Sequence, residues 1–516
     1  MRGAEPRRSL RTADPAPASG GVQAQAGIAP VMSWPRHAPA NALPARAAPT
    51  CAARLRTRAP AHALLARVAR RTARALALPA LCGLLLAPAA AQTVLRDAET
   101  EALVHDASAP LIRAAGLDER NVQILTINDS TPNAFVAGGQ IVWLHSGLIS
   151  EADNINQLQG VIAHELGHIE GGHIIRSGEG IQEAMSVQIM SLILGAAAIA
   201  AGGAEAGMGI LGAGQQAAMN RYLSFSRVQE ASADAAAARY LHTAGITCRG
   251  FLEFFKKLQN LEYRLFINRE GYGTTHPVSA QRAATLRQVC EQDAAWDSKI
   301  DPALEARFER VKAKLIGFVS DPPRTLQLYP PSDQSVPAHY ARAFAYHKGA
   351  YPDQALAEVD ALLKTAPRDP YFLELKGQVL LESGRPRDAL GPLREAVAET
   401  GGQPLIATLL GHALLATEDD AHLDEAEQVL RASLSRDTEN PFGWYVLGTV
   451  YTRKGDTARA ALASAEQSQL RGQDGQALRY AQIALSGIAP GTADYLRAQD
   501  IAMVSRSAME KGKKKR

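Results

Sequence analysis

Positions 164–168 read His164-Glu165-Leu166-Gly167-His168. On a helix, residues i and i+4 share one face, so the two imidazoles can address a single ion. Neutral imidazole nitrogen suits Zn²⁺, and a zinc that does chemistry wants three protein ligands and one open position. Glu165 lies beside the first imidazole, where a carboxylate can take a proton from a water at that position. This five-residue pattern arises by chance in many chains, so a third ligand has to decide.

Three candidates for it follow. His173 comes five residues after His168; the spacing that uses a third histidine needs six, and Ile174 stands there, so His173 reads as a helix-end or supporting residue. Glu230-Ala-Ser-Ala-Asp234 repeats the i, i+4 arrangement on a second helix, 62 residues beyond His168. There one carboxylate can bind the ion, and the other can grip a ligand histidine's Nδ1–H and fix its tautomer. Surface acids are the plain alternative, but Ala231, Ala233 and Ala235 to Ala238 point to a buried helix, where two acids need a purpose. The third candidate is His276, in Thr275-His276-Pro277 with Arg282 following.

The surrounding pattern must position these groups. Residues 95–115 are mostly helical in period, with Pro110 a candidate kink and Gly116 a stop. Val122 to Asn128 alternates like a half-buried strand, and Asn133 to Ala137, Gly138-Gly139 and Gln140 to Leu144 read as a hairpin. Residues 158–176 form the motif helix and 220–241 the second. The apolar, Gly-rich stretch 187–213 is interrupted by Glu205. Its glycines and that charge disfavour a transmembrane span; a packed helix pair or a mobile lid is expected, with peripheral membrane contact left open. The Pro-bearing stretch 321–337 is expected to be a linker.

Beyond it the chain repeats. Ala343, Gly377, Gly411 and Gly448 are 34, 34 and 37 residues apart, and small residues (Ala355, Ala389, Ala426, Ala460) recur after each. Trp444-x-x-Leu447-Gly448-x-x-Tyr451 matches the tetratricopeptide signature. Two helices of one unit approach closely only at small side chains, and each unit covers the next. The Lys-rich end, Lys511 to Arg516, is expected to be solvated and disordered.

Together, Asn133-Ala-Phe-Val-Ala with its Gly turn, HELGH, the Glu230–Asp234 pair and His276-Pro-x4-Arg282 resemble the membrane-protease and CAAX-protease group of gluzincin metallopeptidases, in a form carrying C-terminal tetratricopeptide repeats. The resemblance covers most of residues 95–490. It implies a mainly α chain with a small β-sheet, a zinc metallopeptidase domain followed by an α-solenoid. It further implies one zinc per chain on His164, His168 and Glu230, Glu165 as general base, and Asp234 as the residue orienting a ligand. His276 and Arg282 then lie at the active site and stabilise the oxyanion. Alternatively, His276, on a loop with Gly271 and Gly273, occupies the zinc's fourth position at rest and holds the enzyme inactive. A substrate strand is expected to add to the edge at Asn133, Ala134, Phe135, Val136 and Ala137. The implied function is an exported endopeptidase acting on misfolded or stalled outer-membrane proteins, with protein or peptide substrates and repeats that dock the assembly machinery. The rival is a periplasmic chaperone or scaffold with a latent or structural zinc.

Composition fits export. Residues 1–91 hold 13 Arg, no Lys and two acids, a net of +11; residues 92–516 hold 42 basic and 50 acidic side chains, a net of −8. An acidic working chain repels a phosphate backbone, so no nucleic-acid role is expected. Residues 1–66 read as a disordered or mis-started extension, with translation expected to begin within Leu64–Val68. Residues 67–91 carry Arg67, Arg70, Arg71 and Arg74, an apolar run from Ala75 and Ala89-Ala90-Ala91, which is a signal peptide pattern for the periplasm. The peptidase domain is then 92–320, the linker 321–337, the repeats 338–490, and a helix with basic tail 491–516. Cys248 and Cys290 remain after removal of the leader and are candidates for a disulfide, with two buried free thiols the alternative.

Overall fold

A computed structural model describes residues 94–200, 204–264, 276 and 280–514. The expected extension and signal peptide, and Gly271, Gly273 and Pro277, lie outside the described residues.

The first half opens with β1 (Val94–Leu95) and α1 (Ala98–Ala114). The Asp97 side chain accepts from Thr100 N and starts α1, and Pro110 sits inside this helix without ending it. Leu95, expected as helix, is strand. Then come β2 (Gln123–Ile127), β3 (Ala134–Ala137) and β4 (Ile141–His145), followed by the short α2 (Ser146–Glu151). The sheet order is β1-β2-β4-β3. β3 and β4 form the antiparallel hairpin with Ala134 opposite Leu144 and Val136 opposite Val142, while β2 runs parallel to β4. Gly138 and Gly139 take φ of 71° and 101°, the left-handed region that a tight Gly-Gly turn requires. β3 is an edge.

α3 (Ile155–Glu170) is capped by the Asn154 side chain and buried along nearly its whole length. It ends six residues before the expected Arg176, because Gly171-Gly172 breaks it and Gly172 turns at φ 61°. α4 (His173–Ala200) and α5 (Ala204–Thr243) follow, then α6 (Arg249–Arg264), α7 (Ala280–Glu291) and α8 (Pro302–Val319). The packed helix pair expected of residues 187–213 is what α4 and the first half of α5 form, although both stand largely exposed to their surroundings. The core gathers Leu103, Leu111, Val142, Ile162, Leu166, Tyr240 and Phe251. Cys248 and Cys290 are joined by a disulfide that ties the start of α6 to the end of α7.

The expected linker is structured. Pro322 opens α9 (Pro322–Leu328), and α10 (Val336–Lys348) starts at its far end. Proline lacks only an N–H that the first turn leaves unpaired, so it starts a helix as readily as it stops one. The repeats are α10 with α11 (Pro352–Thr365), α12 (Pro370–Glu382) with α13 (Pro386–Glu399), α14 (Pro404–Ala416) with α15 (Leu423–Arg436), and α16 (Pro441–Arg453) with α17 (Thr457–Leu470). A Cβ at Gly377 or Gly411 would stand 2.4 or 2.5 Å from Leu393 or Leu430 of the partner helix, so glycine permits the close approach. A further pair, α18 (Asp474–Gly487) and α19 (Ala493–Lys514), continues the stack, so the Lys-rich end is helical through Lys514 rather than disordered.

Buried ion pairs bolt the two halves together. Lys314 of α8 reaches Asp97 at 2.5 Å and Glu99 at 3.4 Å, and Arg310 bridges Glu99 at 2.5 Å and Asp369 at 2.7 Å. Tyr340 of α10 donates to Glu99 at 2.7 Å.

Candidate metal centre

α3 and α5 supply the centre, and glycine lets them meet. A Cβ on Gly167 would stand 2.9 Å from the Ala233 carbonyl oxygen and 3.0 Å from its Cα, so any larger residue would push α5 off α3. Gly160 serves the same purpose one helix face away, where Phe251 of α6 occupies the Cβ space at 2.5 Å. Sequence reading missed both; the available signal was glycine in the interior of a helix, which costs stability unless packing needs it.

The close approach brings His164, His168, Glu230 and His276 into one buried cluster whose ligand atoms lie within 4.8 Å of one another. His164 Nε2 is 3.1 Å from His168 Nε2, 3.3 Å from His276 Nδ1 and 3.4 Å from Glu230 Oε2. Glu230 Oε1 is 3.1 Å from His276 Nδ1 and 3.5 Å from His168 Nε2. A tetrahedral ion with bonds of ~2.05 Å has donor–donor edges of ~3.3 Å. The measured separations match those edges, and three imidazoles with one carboxylate are a donor set that zinc accepts. Such lone pairs repel one another unless a cation, metal or proton, lies between them. Accordingly, although burial works against it, hydrogen bonds from His164 to Asp234 and Glu230 raise the His164 pKa to about 9. His168 is held neutral by burial and by the neighbouring His164 and His276.

The second layer is equally specific. Asp234 Oδ1 lies 3.0 Å from His164 Nδ1, leaving Nε2 to face the cluster. Arg282 on α7 donates from Nε and Nη2 to Asp234 at 2.7 and 2.8 Å, and its Nη1 stands 2.9 Å from Glu230. Against the burial penalty, Arg282 and His164 keep the Asp234 pKa low. Arg282 was expected to face the oxyanion; its donors instead brace the two acids, with Phe255 under the guanidinium at 5.1 Å. His173 Nδ1 sits 3.0 Å from His168 Nδ1, the supporting position expected of it.

Glu165 is fully buried, and burial raises its pKa. Neither of its carboxylate oxygens has a hydrogen bond among the described residues. His276 Nε2 stands 3.5 Å from its Oε1. The Nδ1 edge of the His276 ring therefore looks at the ligand cluster and its Nε2 edge at Glu165. Asn133 is buried just ahead of the β3 edge, and its carbonyl accepts from His145 N at 3.0 Å. Cys248 and Cys290 lie outside the cluster and tether the helix that carries Arg282.

A buried HExxH helix, a carboxylate from a second helix and a buried glutamate with no hydrogen bond among the described residues define the metallopeptidase class. Residues 97–290 match the model of peptidase family M48, which supports a metalloendopeptidase. A beta-barrel assembly-enhancing protease of Escherichia coli (strain K12) is 25% identical over 384 residues, 72% of this chain and 76% of the relative. Metalloprotease LoiP of the same organism is 30% identical over 167 residues, 31% of this chain and 60% of the relative. A Vibrio cholerae relative is 25% identical over 291 residues, so the chain spans 59% of that relative's length. Among solved structures, the tetratricopeptide-repeat protein YrrB is 21% identical, covering 34% of this chain and 92% of its own, with a TM-score of 0.28.

Proposed function

We propose that this chain is an exported, zinc-dependent metalloendopeptidase of outer-membrane protein assembly, hydrolysing misfolded or stalled proteins while its repeats dock partners or clients. The observation that carries the peptidase reading is the convergence of His164, His168 and Glu230 beside a buried Glu165 with no hydrogen bond among the described residues. The assembly role leans on the name of the Escherichia coli relative. Export to the periplasm leans on the leader pattern at residues 67–91 and on a disulfide, which persists in oxidising compartments.

Zinc held by His164, His168 and Glu230 would supply the Lewis acid that polarises a scissile carbonyl and acidifies water. The chain's own groups do the rest. Glu165 takes the proton of the attacking water and delivers it to the departing amine nitrogen. Its burial favours the neutral form, which makes it an effective proton donor in the second step. Asp234 fixes the His164 tautomer, and Arg282 holds Asp234 and Glu230 in place. A substrate strand adds antiparallel along β3, from Asn133 through Ala134, Phe135 and Val136 to Ala137, where backbone hydrogen bonds ask little of the side chains.

His276 stands beside both Glu165 and Glu230, where it would serve at rest as a fourth ligand and bar the substrate. Activity then requires its segment to move. Glu165→Gln should keep zinc at one equivalent and lose casein cleavage by about 10²–10⁴-fold. Retained cleavage would remove Glu165 as the base. Full rescue of a deletion strain by the same variant would shift the biological role to the scaffold.

A further inference from the structure

The hairpin of α4 and α5 is built inside out for water. Its arms, residues 184–200 and 204–220, run antiparallel, since Gly214 abuts Ser191, Leu211 abuts Gly195, and Gly207 abuts Ile199. Every residue these arms bury is small: Ser191, Gly195, Gly207, Gly214 and Ala218. A Cβ on Gly207 would stand 2.7 Å from the Gly195 carbonyl oxygen, so the two backbones nearly touch. Leu211 and Ile199 reach the seam, but most large apolar side chains face outward; Met185, Ile189, Met190, Ile193, Leu194 and Met208 are each 51–64% exposed. A hairpin made for water places its large apolar residues in the seam and polar ones outside. Small residues in the seam with large apolar ones outside is how helices pack within lipid.

Charge and length agree. Between Glu183 and Arg221 the sequence has a single charged residue, Glu205. At the base, by contrast, Arg221 pairs with Glu183 at 2.8 Å and Arg176 with Glu179 at 3.6 Å, a charged collar suited to headgroups. Each arm of about 17 residues is ~25 Å long. That falls slightly short of a ~30 Å hydrocarbon core, a mismatch that local thinning absorbs. It also sets Glu205, in the first turn of α5, near the far interface, where a carboxylate stays hydrated.

We propose that this hairpin inserts into a phospholipid bilayer from one side and anchors the chain at the membrane. α5 continues from Asn220 to Glu230, about 15 Å of helix, so the metal centre is held just above the bilayer surface. This goes beyond the peptidase reading and does not rest on it.

The test floats the mature full chain with vesicles of phosphatidylethanolamine and phosphatidylglycerol. Co-flotation that survives high salt is expected, and the double variant Ile193→Glu/Leu194→Glu should float at least 10-fold less while its zinc content and thermal unfolding stay unchanged. A fluorophore on Ile193→Cys, near the middle of its arm, should be quenched by bromine or nitroxide groups deep in the acyl chains. Equal flotation of the double variant overturns the proposal, as does flotation lost in salt. So does a chain that ignores vesicles but forms a dimer that the two glutamates dissolve, or one that binds only unfolded polypeptide through this hairpin.

Discussion

Arg282→Met is the sharpest perturbation of the centre. The guanidinium is 5% exposed and serves two carboxylates that are 5 and 8% exposed, at 2.7–2.9 Å. Burial favours a neutral Glu165, so Glu230 and Asp234 bring the two negative charges of the centre, and a divalent ion and Arg282 are the cations that offset them. Methionine keeps most of the volume and removes the charge. Removing one partner of a buried ion pair costs about 3–5 kcal/mol, on the order of 10 °C in unfolding temperature for a domain of this size. The loss should depend on metal. With the ion bound, the other groups present Arg282 with no net charge; with chelator they present −2, or −1 once His164 takes up a proton. Thermal unfolding of parent and variant, each with zinc and with chelator, should therefore show the larger drop in chelator. In a double-mutant cycle, Asp234→Asn should add little on top of Arg282→Met, because the two groups share one interaction. A variant that melts within about 1 °C of the parent in chelator, or strict additivity in the cycle, would refute the assignment of Arg282 to bracing the acids.

Gly167→Ala should force α5 away from α3, because the added Cβ meets backbone at 2.9 Å; zinc affinity, read by competition with a chelating dye, should fall at least 10-fold, and an unchanged affinity would show that the helices need not be so close. His276→Ala should raise basal peptide cleavage above the parent; an unchanged or abolished rate ends the idea of a resting ligand. Glu374 is buried among Lys314, Asp97 and Glu99, and burial pushes its pKa up to about 8 despite Lys314. A carboxyl raised from its unfolded value of about 4.5 contributes stability that is fully present below that pH and is lost as pH rises through 8. Glu374→Gln should therefore flatten the decline of unfolding temperature between pH 5 and 8, removing at most about 1.4 kcal/mol per pH unit; parallel curves for parent and variant would contradict it.

The reach of sequence reading follows from the range over which each interaction is encoded. Two ligands one helical turn apart, and two acids one turn apart on another helix, are local patterns, so His164, His168, Glu230 and Asp234 stand out in the chain and meet in the structure. Arg282 is different. Nothing near it in sequence tells a guanidinium that faces substrate from one that faces Asp234, because that depends on how α7 is tied down, in part through Cys248–Cys290. Proline misled at 322, where its ring suits a helix start, and the break at Gly171-Gly172 was hidden by apolar residues that continue beyond it. The last helical pair escaped the repeat count because it lacks the Trp, Leu, Gly and Tyr of the signature; it closes instead through Ala477, Ala481, Ala484 and Ile501.

The joint between the two halves shows most clearly why some of the fold is illegible. Asp97, Glu99 and Lys314 look like ordinary surface charges in a list, and Arg310 and Asp369 are no more distinctive. In the structure Glu99 is 2% exposed and touches Arg310, Lys314 and Tyr340 together. A carboxylate so deeply buried on α1 is tolerated only when all its partners are present, and those come from α8 and α10. The repeats are therefore fixed to the peptidase half through groups on both sides of the expected linker, which holds one short helix, Pro322–Leu328, of its own.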